Sequence, residues 1–348
     1  MFFASDNSGP VHPSALAALE RANTGHVMGY GNDALTAQVA DRIRDLFEAP
    51  GAAVFLVTTG TAANALALST LVQPYDAVFC TPHAHIHLDE GNAPEFFTSG
   101  AKLSVVRGDD RMTPAALADR IAFLQGLGLG GAVPQAVSLT QMTEMGNLYE
   151  LNDLREICAM AAKHGLSVHL DGARFANACV ALGCTPAEMT WKAGVDVAVF
   201  GGTKNGLMGA EAVIFFDPDH GRDFELRRKR GAHLLSKYRY LAAQMSAYLA
   251  DDLWITLARQ ANANCAQLVQ GLDAVSGFQR ANDARGNVAF FTVARGLHHR
   301  LKESGAAYVL WQGSDDGHED DPVMLRFVCD WSLDPDLITE FTQMAGDL

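Results

Sequence analysis

Positive charge is scarce in this chain. Its 348 residues carry 26 Lys and Arg against 40 Asp and Glu, a formal net charge of -14. That balance argues against a nucleic-acid partner and against docking on an anionic membrane. Long apolar runs are missing as well, and no stretch approaches the length of a membrane span. The opening MFFASDNSGPVHP lacks a basic segment followed by a long apolar one, so no export signal is expected and the expected location is cytoplasmic. Cysteines are few and scattered: Cys80, Cys158, Cys179, Cys184, Cys265 and Cys329 sit mostly among apolar neighbours and form no zinc pattern. Reduced, buried thiols suit such a protein. No internal repeat and no low-complexity segment is present.

The hydrophobic fraction is 49% and Gly is frequent. That supports a sizeable core and matches an α/β enzyme better than a disordered or fibrous chain. The length predicts one large domain, or a large one plus a small one. Between residues 52 and 216 apolar runs of strand length alternate with helix-like segments. The runs are 52–57, 76–80, 102–106, 135–140, 166–170, 195–200 and 211–216. This rhythm predicts a mostly parallel sheet covered on both faces, with the last strand antiparallel at an edge. Past residue 246 the pattern changes to a long helix (253–272), strands at 288–293 and 324–329, and a last helix from 334. The expected division is a large domain over 1–248, N-terminal arm included, and a small α+β domain over 249–348.

Two runs deliver the chemistry. The run 166–170 leads into Asp171 and Arg174; the run 195–200 leads, behind Gly201-Gly202, into Thr203 and Lys204. Neighbouring parallel strands separated by a helix bring their carboxyl ends side by side, where open α/β sheets bind ligands. A lysine and a carboxylate there suit pyridoxal 5′-phosphate, which needs an amine for its Schiff base and an acid for its pyridine nitrogen. Taken singly, each has a plainer explanation: a helix N-cap for the acid, a solvated loop for the lysine. Upstream, Thr58-Thr59-Gly60-Thr61 joins a strand to a strong helix. Free N–H groups at a helix start attract an anion, and the turn lacks the lysine of a nucleotide-triphosphate loop, so it suits one phosphate monoester. The simpler alternative is an N-cap by Thr59 or Thr61.

His83, His85 and His87 alternate and would point the same way on an extended segment. No further His or Cys completes a metal set, so none is expected; an imidazole beside a pyridine ring is a stacking candidate. Glu90 in the same cluster could act as acid or base. Gln141 and Glu144 reach the end of the 135–140 strand. Arg326 lies inside an apolar strand, which is costly unless it meets an anion such as a substrate carboxylate or a structural ion-pair partner. The basic stretch after Gly221 reads as a solvated helix face. Alternatively Lys229, Arg230 or Arg239 supplies charge to an anionic ligand, in a neighbouring subunit.

The pieces SDNSGPVHP, YGNDALT, TTGTAANALAL, HAHIHLDEGNAPEFF, TQMTEMGNLY, HLDGARFANA, FGGTKNGLMGAEAVIFF and RFVCDW, in this order, cover nearly the whole chain. With them the chain resembles the pyridoxal-phosphate-dependent threonine aldolase family, in its low-specificity and phenylserine-type branch. The resemblance implies the aspartate-aminotransferase-like fold type I: a large mostly parallel-sheet α/β/α domain that binds the cofactor, plus the small C-terminal domain. It implies that Lys204 bonds the cofactor, that Asp171 holds the pyridine nitrogen and that Gly60 and Thr61 cradle the phosphate, with Thr203 nearby. His85 would stack on the ring and handle the β-hydroxyl proton. Arg174 would face the ring oxygen or the substrate carboxylate. Ser8, Tyr30 and Arg326 would contact the amino-acid substrate. The implied assembly is a homotetramer or homodimer with shared active sites. Another lyase of the same fold, a β-eliminating one, or an aminotransferase is the rival activity. A binding module that keeps the fold without turnover is the rival outside catalysis.

Overall fold

The computed structural model describes residues 1–348. Seven strands form the main sheet: β1 (Ala53–Val57), β2 (Asp76–Cys80), β3 (Lys102–Val105), β4 (Val133–Thr140), β5 (Ser167–Asp171), β6 (Val197–Gly201) and β7 (Glu211–Phe215), in the order β1-β7-β6-β5-β4-β2-β3. The β2, β5, β6 and β7 segments are almost wholly buried, which is why they read as continuous apolar runs rather than alternating ones. β3, β2, β4, β5 and β6 pair in parallel; β7 is antiparallel to both neighbours.

The expectation of β7 at an edge is corrected here. Its direction is as expected, but β1 closes the sheet outside it, with Val57 opposite Glu211 and Ala53 opposite Phe215. All five β7 residues are therefore buried. The consequence for the site is direct. Glu211 begins β7 where β1 and β6 end, with Val57 on one side and Gly201 on the other.

Helix Gly60–Leu71 runs behind the sheet and is buried nearly all round, consistent with its Ala/Leu composition. Its Thr59 N-cap accepts from the Ala62 N–H at 3.1 Å. Close backbone approach explains the glycines of the two chemistry-bearing segments. A Cβ on Gly172 would meet the Val199 carbonyl at 1.9 Å, and one on Gly201 would meet the carbonyls of Gly172 and Ala173 at 2.8 Å. Only glycine lets the ends of β5 and β6 come this close.

The second sheet is antiparallel: β8 (Gln279–Arg280), β9 (Val288–Ala294), β10 (Val309–Gln312) and β11 (Pro322–Val328), in the order β10-β11-β9-β8. β8 and β10 are too short to stand out in the sequence. The long helix Leu253–Asp273 serves both cores: Trp254 and Ala258 pack in the large one, Cys265, Leu268 and Leu272 in the small one. The N-terminal arm crosses to the second sheet. Phe3 donates its N–H to Ala307, accepts from Val328 and packs its ring on Phe327 and Phe341. No helix is long and apolar enough to cross a membrane.

Candidate active site

The carboxyl ends of the parallel strands open onto a cavity of about 600 Å³. Gly60, Thr61, His85, Asp171, Arg174, Thr203, Lys204 and Arg326 all line it. Ser8 and Tyr30 do not. Asn7 reaches the cavity in place of Ser8, which is exposed. Tyr30 is 49% exposed, with the Lys229 ammonium 4.6 Å from its ring centre. Arg230 lines a second, separate cavity, and Arg239 is engaged by the carbonyls of Thr24 and Gly25.

The three histidines do not share a face, which corrects the extended reading. After β2 the chain enters a helical turn, His85–Leu88. Two residues apart on a helix is a rotation of about 200°. Only His85 reaches the cavity, and His87 is exposed. His85 Nδ1 lies 2.8 Å from Glu90 Oε1, and its backbone N–H donates to Glu144 Oε1 at 2.7 Å. The Glu90 hydrogen bond pushes the imidazole pKa up against its burial. Burial pushes the Glu90 carboxyl up as well, against the hydrogen bonds of His85 and Asn64. The two therefore compete for one shared proton. Burial and the nearby Asp171 raise Glu144 to about 7. Its Oε2 has no protein partner.

Asp171 ends β5 and is buried. Oδ1 accepts from the Ala173 N–H at 3.0 Å and Oδ2 from Asn64 Nδ2 at 2.9 Å. Lys204 stands in a single turn of 3-10 helix, Thr203–Asn205, behind β6. Its ammonium makes no hydrogen bond or ion pair within the protein. Burial, then Arg174, lowers its pKa against the pull of Asp6, Asp171 and Glu211. A lysine so placed is a better nucleophile than a solvated one.

Glu211 holds the lysine loop. It accepts from the Gly202 N–H at 2.9 Å and from the Thr203 hydroxyl. Burial raises its carboxyl to about 7, against those hydrogen bonds and Lys204. In the unfolded chain the group ionises near its ordinary 4.5. Between these values the folded form binds more protons, so this group's contribution to stability falls as pH rises from about 4.5 to about 7. Glu211→Gln should remove that component. Melting temperatures measured from pH 5 to 8 should fall less steeply with pH in the variant; parallel curves would refute the assignment.

Two guanidiniums differ in their commitments. Arg174 is clamped by Asp6: Nε to Oδ2 at 2.7 Å and a terminal nitrogen to Oδ1 at 3.0 Å. Asn287 also donates to Asp6 Oδ2, at 3.0 Å. Burial alone would raise the Asp6 carboxyl, but Arg174 and Lys204 outweigh it and hold it below its ordinary value. Arg326 has no carboxylate partner. It rests 5.0 Å from the Trp311 ring centre, reaches the Ala4 carbonyl only at 3.5 Å, and leaves a buried Nε unpartnered. A structural ion pair therefore does not explain it: the guanidinium lines the cavity with no carboxylate beside it.

At the helix start, Thr59 caps Ala62 while the Gly60 and Thr61 N–H groups bond nothing within the protein. The two readings of the turn are thus compatible: Thr59 caps, and its neighbours face the cavity. The residues fit pyridoxal phosphate on these observations. Free N–H groups suit the phosphate, the unpaired Lys204 suits the aldehyde, and the fixed Asp171 suits the ring nitrogen. Sequence reasoning missed Asp6, Asn64, Glu211 and Trp311. Asp6 sits in a polar cluster that reads as a turn, and that turn is present, closed by Ser8 N–H to Ser5 O. Asn64 gave one usable signal, as the single amide in an otherwise Ala/Leu helix core.

Sheet order, the lone antiparallel strand and the lysine behind β6 define the fold type I class, the aspartate-aminotransferase-like architecture. The chain belongs to the beta-eliminating lyase family, whose model matches residues 3–294. It is 41% identical to a low specificity L-threonine aldolase of Pseudomonas sp. (strain NCIMB 10558), over 99% of this chain and 96% of that one. The enzyme of the same description from Pseudomonas aeruginosa is also 41% identical, over 98% and 96%. Among solved structures, a Leishmania major threonine aldolase superposes with a TM-score of 0.92 at 26% identity, covering 99% of this chain and 98% of that one. A Sphingomonas wittichii serine palmitoyltransferase shares the fold, with a TM-score of 0.70 at 15% identity, over 100% and 86%.

Proposed function

We propose that this chain is a pyridoxal 5′-phosphate-dependent aldolase that cleaves L-threonine, L-allo-threonine or another β-hydroxy-α-amino acid such as phenylserine into glycine and an aldehyde. One observation carries the reading: an unpaired lysine, a fixed carboxylate, a free anion turn and an uncommitted arginine meet in one cavity. Lys204 would hold the cofactor's aldehyde carbon, Asp171 its ring nitrogen, and the Gly60 and Thr61 N–H groups its phosphate, with Thr203 beside the lysine. When bound, the cofactor supplies an electron sink into which the Cα–Cβ bond can break. Arg326 would bind the substrate carboxylate and so fix the substrate's orientation in the cavity. His85, backed by Glu90, would lie against the ring and take the β-hydroxyl proton. Arg174, locked by Asp6, presents its remaining N–H groups to the ring oxygen or the substrate carboxylate.

The family model's own description makes β-elimination the rival. Incubating the loaded protein with L-threonine, L-allo-threonine, D-threonine and phenylserine separates the two. Glycine plus aldehyde supports the aldolase; ammonia with 2-oxobutyrate from threonine or phenylpyruvate from phenylserine, or a keto acid with pyridoxamine phosphate, overturns it. A purified protein that stays colourless with added cofactor would favour the non-catalytic module.

Arg326→Ala should lower kcat/KM by about a hundredfold or more, since a charge-assisted bond pair contributes about 3 kcal/mol. The loss should fall mainly on KM, with Arg326→Lys intermediate. Steady-state kinetics check this, and an unchanged KM would contradict the role.

Sharing of sites between subunits of a homodimer or homotetramer accounts for Ser8 and Tyr30 as substrate contacts that a single chain does not deliver. Exposed Val27 and Met28 flank Tyr30 and suit such an interface. Light scattering measures the assembly. The division at residue 248 into a cofactor-binding and a small domain, and a cytoplasmic location, complete the reading.

A further inference from the structure

Asn64 is 2% exposed in the helix whose first residues form the anion turn. It lies four residues after Gly60, one turn deeper on the same face. An amide in an Ala/Leu helix core is costly unless it is paired. Here both of its N–H hydrogens are committed to carboxylates: Glu90 Oε1 at 2.8 Å and Asp171 Oδ2 at 2.9 Å. Its own oxygen has no partner. Two acceptors facing one amide fix the flip, since the reverse orientation would set oxygen against oxygen. Glu90 Oε1 also meets His85 Nδ1. An unbroken chain therefore runs Asp171–Asn64–Glu90–His85.

We propose that Asn64 is a positioning residue that ties Asp171 to the Glu90–His85 pair and keeps Glu90 an acceptor. This rests on the roles given above to Asp171 and His85. The physics is that of a donor shared by two acids. By donating to Glu90, Asn64 favours its ionised form. An ionised Glu90 draws the imidazole proton to Nδ1 and leaves the Nε2 lone pair free to accept. The same amide separates two carboxylates that would otherwise repel across a buried gap. The charged groups around His85 are Glu90, Asp171, Lys204 and, through its backbone N–H, Glu144. Of these, Asn64 touches Glu90 and Asp171.

The test is Asn64→Ala, with Asn64→Leu as the volume-conserving variant that carries the test if alanine does not fold. In the loaded enzyme kcat should fall by about ten- to a hundredfold, with KM moving less than about threefold. The acid limb of the kcat/KM profile should move to lower pH, because a protonated Glu90 makes His85 less basic. The His85 ring signals in an NMR titration, recorded with and without cofactor, should shift the same way. In a Glu90→Gln background the Asn64 substitution should no longer move His85, since the link is already cut. An unmoved His85 titration and acid limb in a folded Asn64 variant would overturn the proposal, as would an equal shift in the Glu90→Gln background. The titration without cofactor reads the network directly, so its outcome stands apart from whether the aldolase reading holds.

Discussion

Alanine at position 204 should leave a folded protein that holds no covalently bound cofactor and has lost turnover by several orders of magnitude. The side chain makes no hydrogen bond or ion pair, so its removal deprives the fold of little. The loop is held instead by Glu211 through Gly202 and Thr203. Melting temperature should therefore change by no more than a few degrees. The visible absorbance of a lysine-bound pyridoxal phosphate should vanish, while the free Gly60 and Thr61 N–H groups still retain some cofactor through its phosphate. Absorbance after gel filtration and a turnover assay check both halves. Wild-type activity in this variant would end the aldolase reading.

Asn at position 171 should behave differently. Lys204 is intact, so the absorbance should persist, but kcat should fall by about a hundred- to a thousandfold, as for loss of one preorganised electrostatic partner. The carboxylate now accepts from Asn64 and from the Ala173 N–H. An asparagine must turn its own NH2 toward one of those donors, so it loses both the charge proposed to pair with the ring nitrogen and a hydrogen bond. Steady-state kinetics with L-threonine or phenylserine, set beside the spectrum, separate loss of chemistry from loss of cofactor. A kcat within about threefold of wild type would remove Asp171 from the mechanism.

The pH response of stability should carry opposing signatures. Glu144 and Glu211, raised to about 7 by burial, favour the folded state at lower pH. Asp6, held low by Arg174 despite its burial, contributes stability present above its unfolded pKa and lost as pH falls through its folded one. The melting temperature is therefore expected to peak in mildly acidic solution.

Much of this was legible in the chain because local rules fix it. Parallel strands buried on both faces must be apolar throughout, and the runs at β2, β5, β6 and β7 announced themselves. The DGAR and GGTK segments follow such runs, so their carboxylate and lysine had to emerge at strand ends. The Thr-Gly-Thr turn had to start a helix with free N–H groups. The sequence placed β5 beside β6, but it could not give adjacency between strands distant in the chain. It showed β7 as antiparallel, but not that β1 would flank it, since pairing depends on which strand is left to cover an exposed edge. The β6–β7 pairing sets Glu211 under the lysine loop, and β1 on the other side buries it.

The same division holds for the site's supporting residues. Asp6 and Arg174 are 168 positions apart, and Asn64 and Asp171 are 107 apart. No periodicity or propensity acts over such separations. By itself, then, the sequence determined the layers, the strand ends and the residue types that perform the chemistry, because these follow from burial and short-range geometry. His85 and Arg326 were named from the family resemblance, but only the tertiary structure decided that Arg174 is clamped by Asp6 and that the Asn64 amide joins the acids, because those depend on where distant segments are packed against one another.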